Sequence, residues 1–577
     1  MSRLTVAGSQ SSGPSPDGQA FSPLYCISEK IRKLLYNFSQ AGHLALRVTG
    51  GDAELDTHGL TRRQLLGRGG VAVASVGGLA AAGAAGYAWP RAAAAATLSS
   101  PAPASTPTPG GTGGVLHFVS RPDLTPPALT LAHHGPAGAS DPPYFILTPS
   151  GYPVTGPGTP GLMILDRHGG IVWYSPNTGF PASKAMGRVD LKVQSYQGNP
   201  VLTWWEGQIN LGTGKGKAII ADTSYRTIAT VNGGDGLQVD LHEFVISPQD
   251  TALVTAFRPV TTDLSGVGGP AQGVALSGVI QEIDIPSGRV LFEWSSLDHV
   301  PVTDTYIPFS GGTTAAPFDY FHVNSISVAP DGNLLVSARN TSTVYRVSRT
   351  TGQVIWQLGG KQSDFTMGPG AMFWFQHHVL PQGQDTLSIF DDGGAPPVKE
   401  PQSRGILLHL DTGTMAATLQ RSYVHPAGLA AANQGSMQVL ADGEVLVGWG
   451  NLPYFSQFTA DGTLILDGQF PVGDQSYRTF TAAWTAHPTD QPAVAARVNP
   501  AGGSVVYASW NGATQVSTWT VLAGPTAGAL ATVGSQQRSG FETTITVNSA
   551  GPYFAVIAAD ADRHELGRSA TVQITSG

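Results

Sequence analysis

The chain has 577 residues and a formal net charge of −8, and only 12% of its residues are charged. Its basic residues are scattered rather than clustered, so we expect no nucleic-acid partner. The single cysteine, Cys26, excludes an intramolecular disulfide framework and a thiolate-bound metal centre. The 73 glycine and 42 proline residues, together with abundant Val and Thr, favour many short strands joined by tight turns.

The N-terminal part carries the pattern of an export signal. Arg62 and Arg63 precede a mildly apolar run from Gly69 to Trp89, and small residues follow at 92–96. This order is typical of a twin-arginine signal peptide over residues 61–96. The alternative is a membrane anchor, because the run is just long enough to span a bilayer, but its few Leu and Ile residues favour export.

An export signal has consequences for partners and location. We expect the twin-arginine export machinery as a partner, with transient membrane contact through the signal. The protein is then extracellular or at the cell surface, or membrane-anchored where the signal is not cleaved. Residues 1–60 form an extension of unknown role, either a misassigned start or an appended tail, and residues 97–114 form a flexible linker rich in Pro, Thr, Ser and Gly.

Residues 115–484 repeat two kinds of hairpin. The first has a Pro/Asp/Gly turn and occurs at Glu243–Thr255, Ser325–Ser337 and Met437–Gly448. The second has a polar, Gly-bearing turn and occurs at Met163–Trp173, Ile283–Trp294 and Tyr345–Trp356. Asp-Gly and Ser-Gly between strand-forming runs are hairpin signals. Counting the second hairpins predicts an all-β, six-bladed β-propeller, with five or seven blades as alternatives.

The pattern changes after residue 484. Alternating strands are predicted at Val505–Thr514, Ser517–Leu522, Glu542–Val547 and Tyr553–Ala559. Their spacing favours an immunoglobulin-like or fibronectin III-like β-sandwich over residues 485–577, with Trp510 and Trp519 in its core. Because this tract carries no cluster of catalytic residue types, we expect it to be an accessory domain.

In three of the predicted hairpins, the first of the two strands carries a histidine close to its start. His242, His322 and His377 precede the turns of their hairpins by even numbers of residues, as does Asn324. Side chains of a strand alternate between its faces, so these four residues are predicted to share one face and His378 to lie on the other. A β-bulge would break this alternation. A single such histidine is usually structural, whereas three on matching strands favour a functional cluster.

Other side chains extend this hypothesis. Arg339 follows an apolar strand in the same repeat as His322, and beside imidazoles its guanidinium would bind sulfate, phosphate or carboxylate. Asp391 or Asp392 could orient an imidazole through its second nitrogen, or could belong to a plain turn. Aromatic residues are candidates for a substrate pocket or for packing between blades: Trp204, Trp205, Trp374, Trp449 and Tyr454. Surface positions are expected for His133, His134, His299, His425 and His564.

Motif searches exclude several chemistries. The chain has no Gly-rich phosphate loop, no His-Glu-x-x-His and no Gly-x-Ser-x-Gly elbow. No cofactor and no metal ligand are predicted, although a zinc site made of three histidines remains an alternative.

Several stretches together resemble the arylsulfotransferase family that uses aryl sulfates rather than PAPS, in its actinobacterial and fungal branch. They are Phe118–Pro127, Asp319–Ile326, Leu334–Tyr345, Ile355–Lys361 and Phe375–His377. The resemblance covers about residues 116–470 and implies transfer of a sulfuryl group from an aryl sulfate ester to a phenol through a sulfohistidine. It implies His377 as the nucleophile, with His242, His322, Asn324 and Arg339 holding the sulfuryl oxygens. Two alternatives remain: an exported propeller that binds an anionic or aromatic ligand without catalysis, and a hydrolase or lyase with a histidine-bound metal.

Overall fold

The computed structural model describes residues 114–135, 142–150, 156–178, 186–210 and 212–574. All of them belong to one compact unit, Thr106–Gly577. The predicted extension 1–60, the signal peptide 61–96 and all but the last residue of the linker 97–114 lie outside the described residues. No helix in the described ranges is long and apolar enough to cross a membrane.

The regular secondary structure of the described residues is almost entirely β-strand, as predicted. Its helical turns are short 3-10 segments at Ser265–Val267, Ser296–Asp298 and Val302–Asp304. The strands of the first half are β1 Thr130–His133, β2 Tyr144–Ser150, β3 Gly161–Asp166, β4 Ile171–Pro176, β5 Met186–Tyr196, β6 Asn199–Asn210, β7 Thr213–Ala221, β8 Thr227–Val231, β9 Phe244–Ile246, β10 Thr251–Thr262, β11 Gly273–Asp284, β12 Val290–Ser295, β13 Val323–Val328, β14 Leu334–Ala338, β15 Thr343–Val347 and β16 Val354–Gly359. Those of the second half are β17 Thr366–Met367, β18 His377–Pro381, β19 Thr386–Asp391, β20 Arg404–Asp411, β21 Ala416–Tyr423, β22 Ser436–Val439, β23 Val445–Gly448, β24 Tyr454–Phe458, β25 Leu464–Gln469, β26 Gln475–Ala482, β27 Ala493–Val498, β28 Ser504–Ser509, β29 Thr518–Gly524, β30 Ala531–Gln537, β31 Glu542–Val547, β32 Tyr553–Ala559, β33 Glu565–Arg568 and β34 Val572–Gln573.

Antiparallel units of four strands recur along the chain. Five of them follow chain order: β5–β8, β9–β12, β13–β16, β18–β21 and β22–β25. Two of these gain a fifth strand, since β17 pairs in parallel with β21 and β1 pairs antiparallel with β25. The sheet order β26-β2-β3-β4 differs, because it joins a late strand to three early ones. Short up-and-down sheets of this kind are what frequent turn residues and short apolar runs favour.

The first strands of these six sheets contact one another in a closed cycle. Each strand in the order β5, β9, β13, β18, β22 and β26 contacts the next, and β26 contacts β5. Side chains join neighbouring sheets along this cycle. Ser327 Oγ donates to Val379 O at 3.0 Å, and Gln438 Nε2 donates to Thr481 O at 2.9 Å. These bonds join β13 to β18 and β22 to β26.

The predicted hairpins of both kinds are present. In the β13–β14 hairpin, Gly332 has a φ of 85°, a left-handed conformation that glycine adopts without steric cost. In the β3–β4 hairpin, Asp166 Oδ1 accepts hydrogen bonds from the backbone N–H groups of His168 and Gly170, at 2.8 and 2.9 Å. An aspartate that binds the backbone of its own turn explains why aspartate occurs at the start of this turn.

Two further sheets lie at the C-terminal end. One has the order β27-β28-β31, and the other has the order β30-β29-β32-β33 with β34 also paired to β32. Trp510 and Trp519 are buried in their shared core, as predicted. These sheets contact the repeated ones, since Asn511 exchanges two hydrogen bonds with the backbone of Tyr174.

Candidate active site

Three histidines reach the same region from the starts of neighbouring sheets. His242 lies in the loop before β9, His322 lies directly before β13, and His377 is the first residue of β18. All three are buried. The rings of His242 and His322 meet edge to face, with centroids 4.7 Å apart. The predicted cluster is thus present for this pair. Arg339 lies next to it: its backbone N–H donates to His322 O at 3.0 Å, and the positive charge of its side chain acts on His377.

The reasoning from strand alternation was wrong in its premise. Neither His242 nor His322 belongs to a strand, and the register shifts between Val323 and Ser325 and again after His377. His322 and His378 have φ values of 56° and 50°, and such left-handed residues turn the chain and break the alternation of faces. Loops therefore place His242 and His322, whereas His377 begins β18 and the register shift follows it directly.

Each of the three histidines is paired with an aspartate. Nδ1 of His242 lies 2.5 Å from Asp240 Oδ1, and Nδ1 of His377 lies 2.7 Å from Asp392 Oδ2. Nδ1 of His322 is bonded to Asp319. A carboxylate at Nδ1 fixes the orientation of the ring and leaves Nε2 as the nitrogen available for chemistry. Of the two predicted possibilities, Asp392 orients an imidazole, whereas Asp391 binds the backbone of Trp374 and the Arg404 side chain.

The hydrogen bonds of His377 select one tautomer. The backbone N–H of Gln434 points at Nε2 of His377 at 3.2 Å, so this nitrogen acts as an acceptor. A neutral ring must then carry its proton on Nδ1 and donate it to Asp392. Burial lowers the pKa of His377 well below its usual value, and the positive charge of Arg339 lowers it further. The ring is therefore neutral near pH 7, with its lone pair on Nε2.

Arg339 supplies positive charge beside this ring. Its Nη1 donates to Asn340 Oδ1 at 2.7 Å and its Nη2 donates to Ala432 O at 2.9 Å, while its guanidinium lies 5.2 Å from the centre of the Phe375 ring. Nε of Arg339 is buried and has no partner among the described residues. A guanidinium that is held in place and has one N–H without an acceptor is suited to binding an anionic ligand.

Asn324 lies in the cluster but is engaged in the protein. Its side chain is fully buried, and Nδ2 donates to Gln376 O at 2.6 Å, next to His377 in the chain. Its Oδ1 has no partner among the described residues. The structure therefore places Asn324 where it supports the segment that carries His377.

Two more histidines have clear positions. His378 packs against Phe480, with ring centroids 5.4 Å apart, and its Nδ1 lies 3.1 Å from Met437 O. His425 was expected at the surface, and this prediction was wrong. It is buried and lies 3.2 Å from Asp467, because the aromatic residues Trp449 and Tyr454 cover its ring.

Sequence reasoning missed a buried ion network beneath the histidines. Arg478 on β26 lies 3.3 Å from Asp190 and 3.0 Å from Glu243, and its Nη2 donates to Asn324 O at 2.9 Å. Lys192 contacts the same two carboxylates at 2.8 and 2.6 Å. Burial alone would raise the pKa of Glu243, but Arg478 and Lys192 lower it to about 2. No motif marks Arg478, because its partners are 235 and 288 residues away in sequence.

The aspartate partners were also missed, although a local signal existed for two of them. Asp240 precedes its histidine by two residues and Asp319 precedes its histidine by three. A repeated aspartate just before a histidine could have been noticed in the sequence. Among the described residues, one group of three side chains is close enough to share a metal ion: Asp560, Asp562 and His564. None of these three residues belongs to the candidate site.

Comparison with known families now adds to this geometry. Residues 192–471 match the family model described as arylsulfotransferase (ASST). The arylsulfotransferase match contains His242, His322, His377, Arg339 and Asp392, and it ends before Arg478. It supports the family resemblance for this part of the chain. No curated protein matches the chain.

Solved structures resemble the chain only distantly. A protein of unknown function from Bacteroides caccae is 13% identical, with coverage of 58% of this chain and 98% of its own and a TM-score of 0.35. A virginiamycin B lyase from Staphylococcus aureus is 10% identical, with coverage of 66% and 96% and a TM-score of 0.31. The periplasmic gluconolactonase PpgL from Pseudomonas aeruginosa is 14% identical, with coverage of 70% and 99% and a TM-score of 0.31.

Proposed function

We propose that residues 115–484 form a six-bladed β-propeller and that residues 485–577 form a fibronectin III-like accessory domain. The closed cycle of first strands and the sheet that joins β26 to β2–β4 support the propeller. The two C-terminal sheets around Trp510 and Trp519 support the sandwich. In this arrangement the histidines line one mouth of the central channel.

We propose that the protein transfers a sulfuryl group from an aryl sulfate ester to a phenol, as implied by its resemblance to the actinobacterial and fungal arylsulfotransferases. One observation carries the proposal: His377 is held neutral by burial and by Arg339, while Asp392 and Gln434 direct its lone pair to Nε2. A buried neutral imidazole with its second nitrogen on a carboxylate is an activated nucleophile. The family match over this region names the reaction class that suits it.

The reaction would proceed in two displacements at sulfur. Nε2 of His377 gives up the hydrogen bond from Gln434 N–H and attacks the sulfur; the N–S bond forms as the bond from sulfur to the aryl oxygen breaks. The leaving phenolate takes a proton from Nε2 of His322, which the bound anionic ester keeps protonated. The acceptor phenol then gives its proton back to that nitrogen as its oxygen attacks sulfur and the N–S bond breaks. The proton count therefore balances over the cycle, and the kinetics are ping-pong.

The remaining side chains would hold the sulfuryl oxygens. The unpartnered Nε of Arg339 can donate to one of them. Burial lowers the pKa of His322 in the free protein, and a bound sulfate ester anion opposes this effect, so that Nε2 of the ring becomes a donor once the ester is bound. His242 would act beside it, with its Nδ1 held by Asp240. A well-placed donor of this kind contributes about 3–4 kcal/mol to the transition state in other enzymes. Asn324 would act through the position of the His377 segment.

The decisive experiment combines turnover with mass measurement. Protein mixed with 4-nitrophenyl sulfate and phenol should release nitrophenol and form phenyl sulfate, and His377→Ala should abolish both. Without acceptor, the intact protein should gain one sulfuryl group of about 80 Da, mapped to His377. His425→Ala, a buried histidine outside the site, serves as the control and should keep activity. Turnover that survives His377→Ala refutes the assignment; binding of the ester without product would favour a ligand-binding propeller.

We further propose export by the twin-arginine machinery. The paired arginines Arg62 and Arg63 before an apolar run support this location. Replacing both with lysine should retain the protein inside the cell, as measured by fractionation. Unchanged export of that variant would refute the proposal.

A further inference from the structure

Four side chains form an aromatic–lysine cluster beside the candidate site: Tyr306, Trp374, Lys361 and Lys399. The rings of Tyr306 and Trp374 stand nearly perpendicular, with an interplanar angle of 79° and centroids 5.0 Å apart. Nζ of Lys399 lies 4.7 Å from the Trp374 ring centre and 5.4 Å from that of Tyr306. The two rings therefore form a corner with an ammonium group in its angle. Cations prefer such positions over aromatic faces.

The cluster is joined to the sulfuryl-binding residues on both sides. The backbone N–H of Tyr306 donates to Asn340 O at 2.8 Å, and the side chain of Asn340 accepts from Arg339. Trp374 directly precedes Phe375, on whose ring Arg339 lies. The lysines are exposed, Trp374 and Tyr306 are half-buried, and His377 is buried. Exposure thus falls steadily from the lysines to the nucleophile, as expected along the entrance to a site.

The two lysines differ in what they already bind. Nζ of Lys361 donates to Thr303 O at 2.8 Å and to Thr305 O at 2.7 Å, and it lies in the field of the buried carboxyl of Asp304. Lys399 has no hydrogen-bond acceptor for its ammonium and no carboxylate partner among the described residues; its contacts are the two rings. Its backbone N–H donates to Gly393 O at 2.9 Å, and Gly393 N–H donates to Trp374 O at 3.0 Å, so the segment of Lys399 is tied to Trp374. The positive charge of Lys399 is therefore held at the rings without an anion.

We propose that the aromatic–lysine cluster binds the ring of a phenol or aryl sulfate that carries a second anionic group, such as a carboxylate. The ring would pack on Trp374 and Tyr306, and the carboxylate would pair with Lys399. This inference rests on the proposed function and specifies its substrate class. It also assigns Trp374, a candidate for an aromatic pocket in the sequence, to the substrate side, whereas Trp205 and Trp449 lie in the cores of their sheets.

The test compares two acceptors that differ by one charge. With 4-nitrophenyl sulfate as donor, kcat/KM is measured for 4-hydroxybenzoate and for phenol in the wild type, Lys399→Met and Lys399→Arg. We expect Lys399→Met to lower kcat/KM for 4-hydroxybenzoate about fivefold and to leave phenol unchanged. Lys399→Arg keeps the charge and should keep the preference. Trp374→Leu should lower kcat/KM for both acceptors, because both place a ring on the indole.

A binding arm separates this inference from the proposed reaction. Binding of 4-hydroxybenzoate and of phenol to the His377→Ala variant, with and without Lys399→Met, is measured by calorimetry. If the wild type shows no transfer but binding of 4-hydroxybenzoate depends on Lys399, the inference about the ligand class holds while the proposed function fails. Transfer with equal use of both acceptors, or an equal effect of Lys399→Met on both, would overturn the inference and leave the proposed function intact.

Discussion

The pair of His377 and Asp392 offers the sharpest test of how the site would work. Asp392→Asn retains the size of the side chain and removes the negative charge 2.7 Å from Nδ1. Because Gln434 N–H occupies Nε2, the native ring needs an acceptor at position 392. An asparagine that presents its Oδ1 to Nδ1–H keeps this tautomer but carries no charge, so the variant isolates the loss of the carboxylate charge.

The size of the effect follows from the charge that the ring acquires. When sulfur bonds to Nε2, the imidazole gains close to one positive charge. At a mean separation of about 4 Å and an effective dielectric constant of about 20, a carboxylate stabilises that charge by about 4 kcal/mol. A loss of about 4 kcal/mol lowers kcat about 10³-fold. Because Asp392 touches the ring and not the ester, KM for 4-nitrophenyl sulfate should change by less than about threefold.

The assay is nitrophenol release under saturating phenol, with kcat normalised to folded protein by circular dichroism. Asp467→Asn is the matched control, since it makes the same change beside His425, outside the candidate site. The control should keep kcat within about threefold of wild type. A kcat for Asp392→Asn within about threefold of wild type would refute the charge-stabilisation reasoning.

Four further predictions follow from the candidate site and from the buried ion network. Burial raises the pKa of Asp392 well above its usual value, so kcat should fall on the acid side as this carboxyl takes up a proton, and Asp392→Asn should flatten that limb in a pH–rate profile. Arg339→Met should lower kcat about 10²–10³-fold in the nitrophenol assay and, by letting the pKa of the nucleophilic histidine rise, should reduce activity most at mildly acidic pH, whereas an unchanged profile would count against its role. Arg478→Met should lower the free energy of unfolding in urea by about 3–5 kcal/mol, against less than about 1 kcal/mol for Arg121→Met in a partly exposed pair, and equal effects would contradict the network. Since the folded pKa of Glu243 is about 2, below its usual 4.5, the stabilisation that it provides is present above pH 4.5 and is lost as the pH falls toward 2, which acid titration can follow.

The sequence predicted the elements well where local chemistry decides them. The Asp-Gly turn at Gly332 and the turn of Asp166 are determined by backbone preferences and by a side chain's bonds to its own turn. The same holds for Trp510 and Trp519, whose size and flanking alternation predicted a core. Such features depend on a few neighbouring residues and can therefore be predicted without a structure.

The sequence predicted which residues belong to the candidate site, but not how the fold positions them. Reasoning from alternation placed the histidines on strand faces, while loops and left-handed residues such as His322 in fact bring them together. The role of Arg478 could not be predicted from the sequence, because its ion-pair partners Asp190 and Glu243 are brought to it only by the tertiary fold. Long-range pairing of this kind leaves no periodic trace in a sequence.

The sheet that joins β26 to β2 has a consequence for when the site comes into being. Tyr144 pairs with Ala482 across 338 residues, so this sheet closes only after nearly all of the described repeats have been synthesised. The same strand carries Arg478, which holds Asn324, and Tyr477, whose hydroxyl donates to His242 O at 3.1 Å. A partly made chain therefore holds its histidines without their support. Contacts of such long range also form slowly, so the histidine cluster should reach its final arrangement in the same late step that completes the fold.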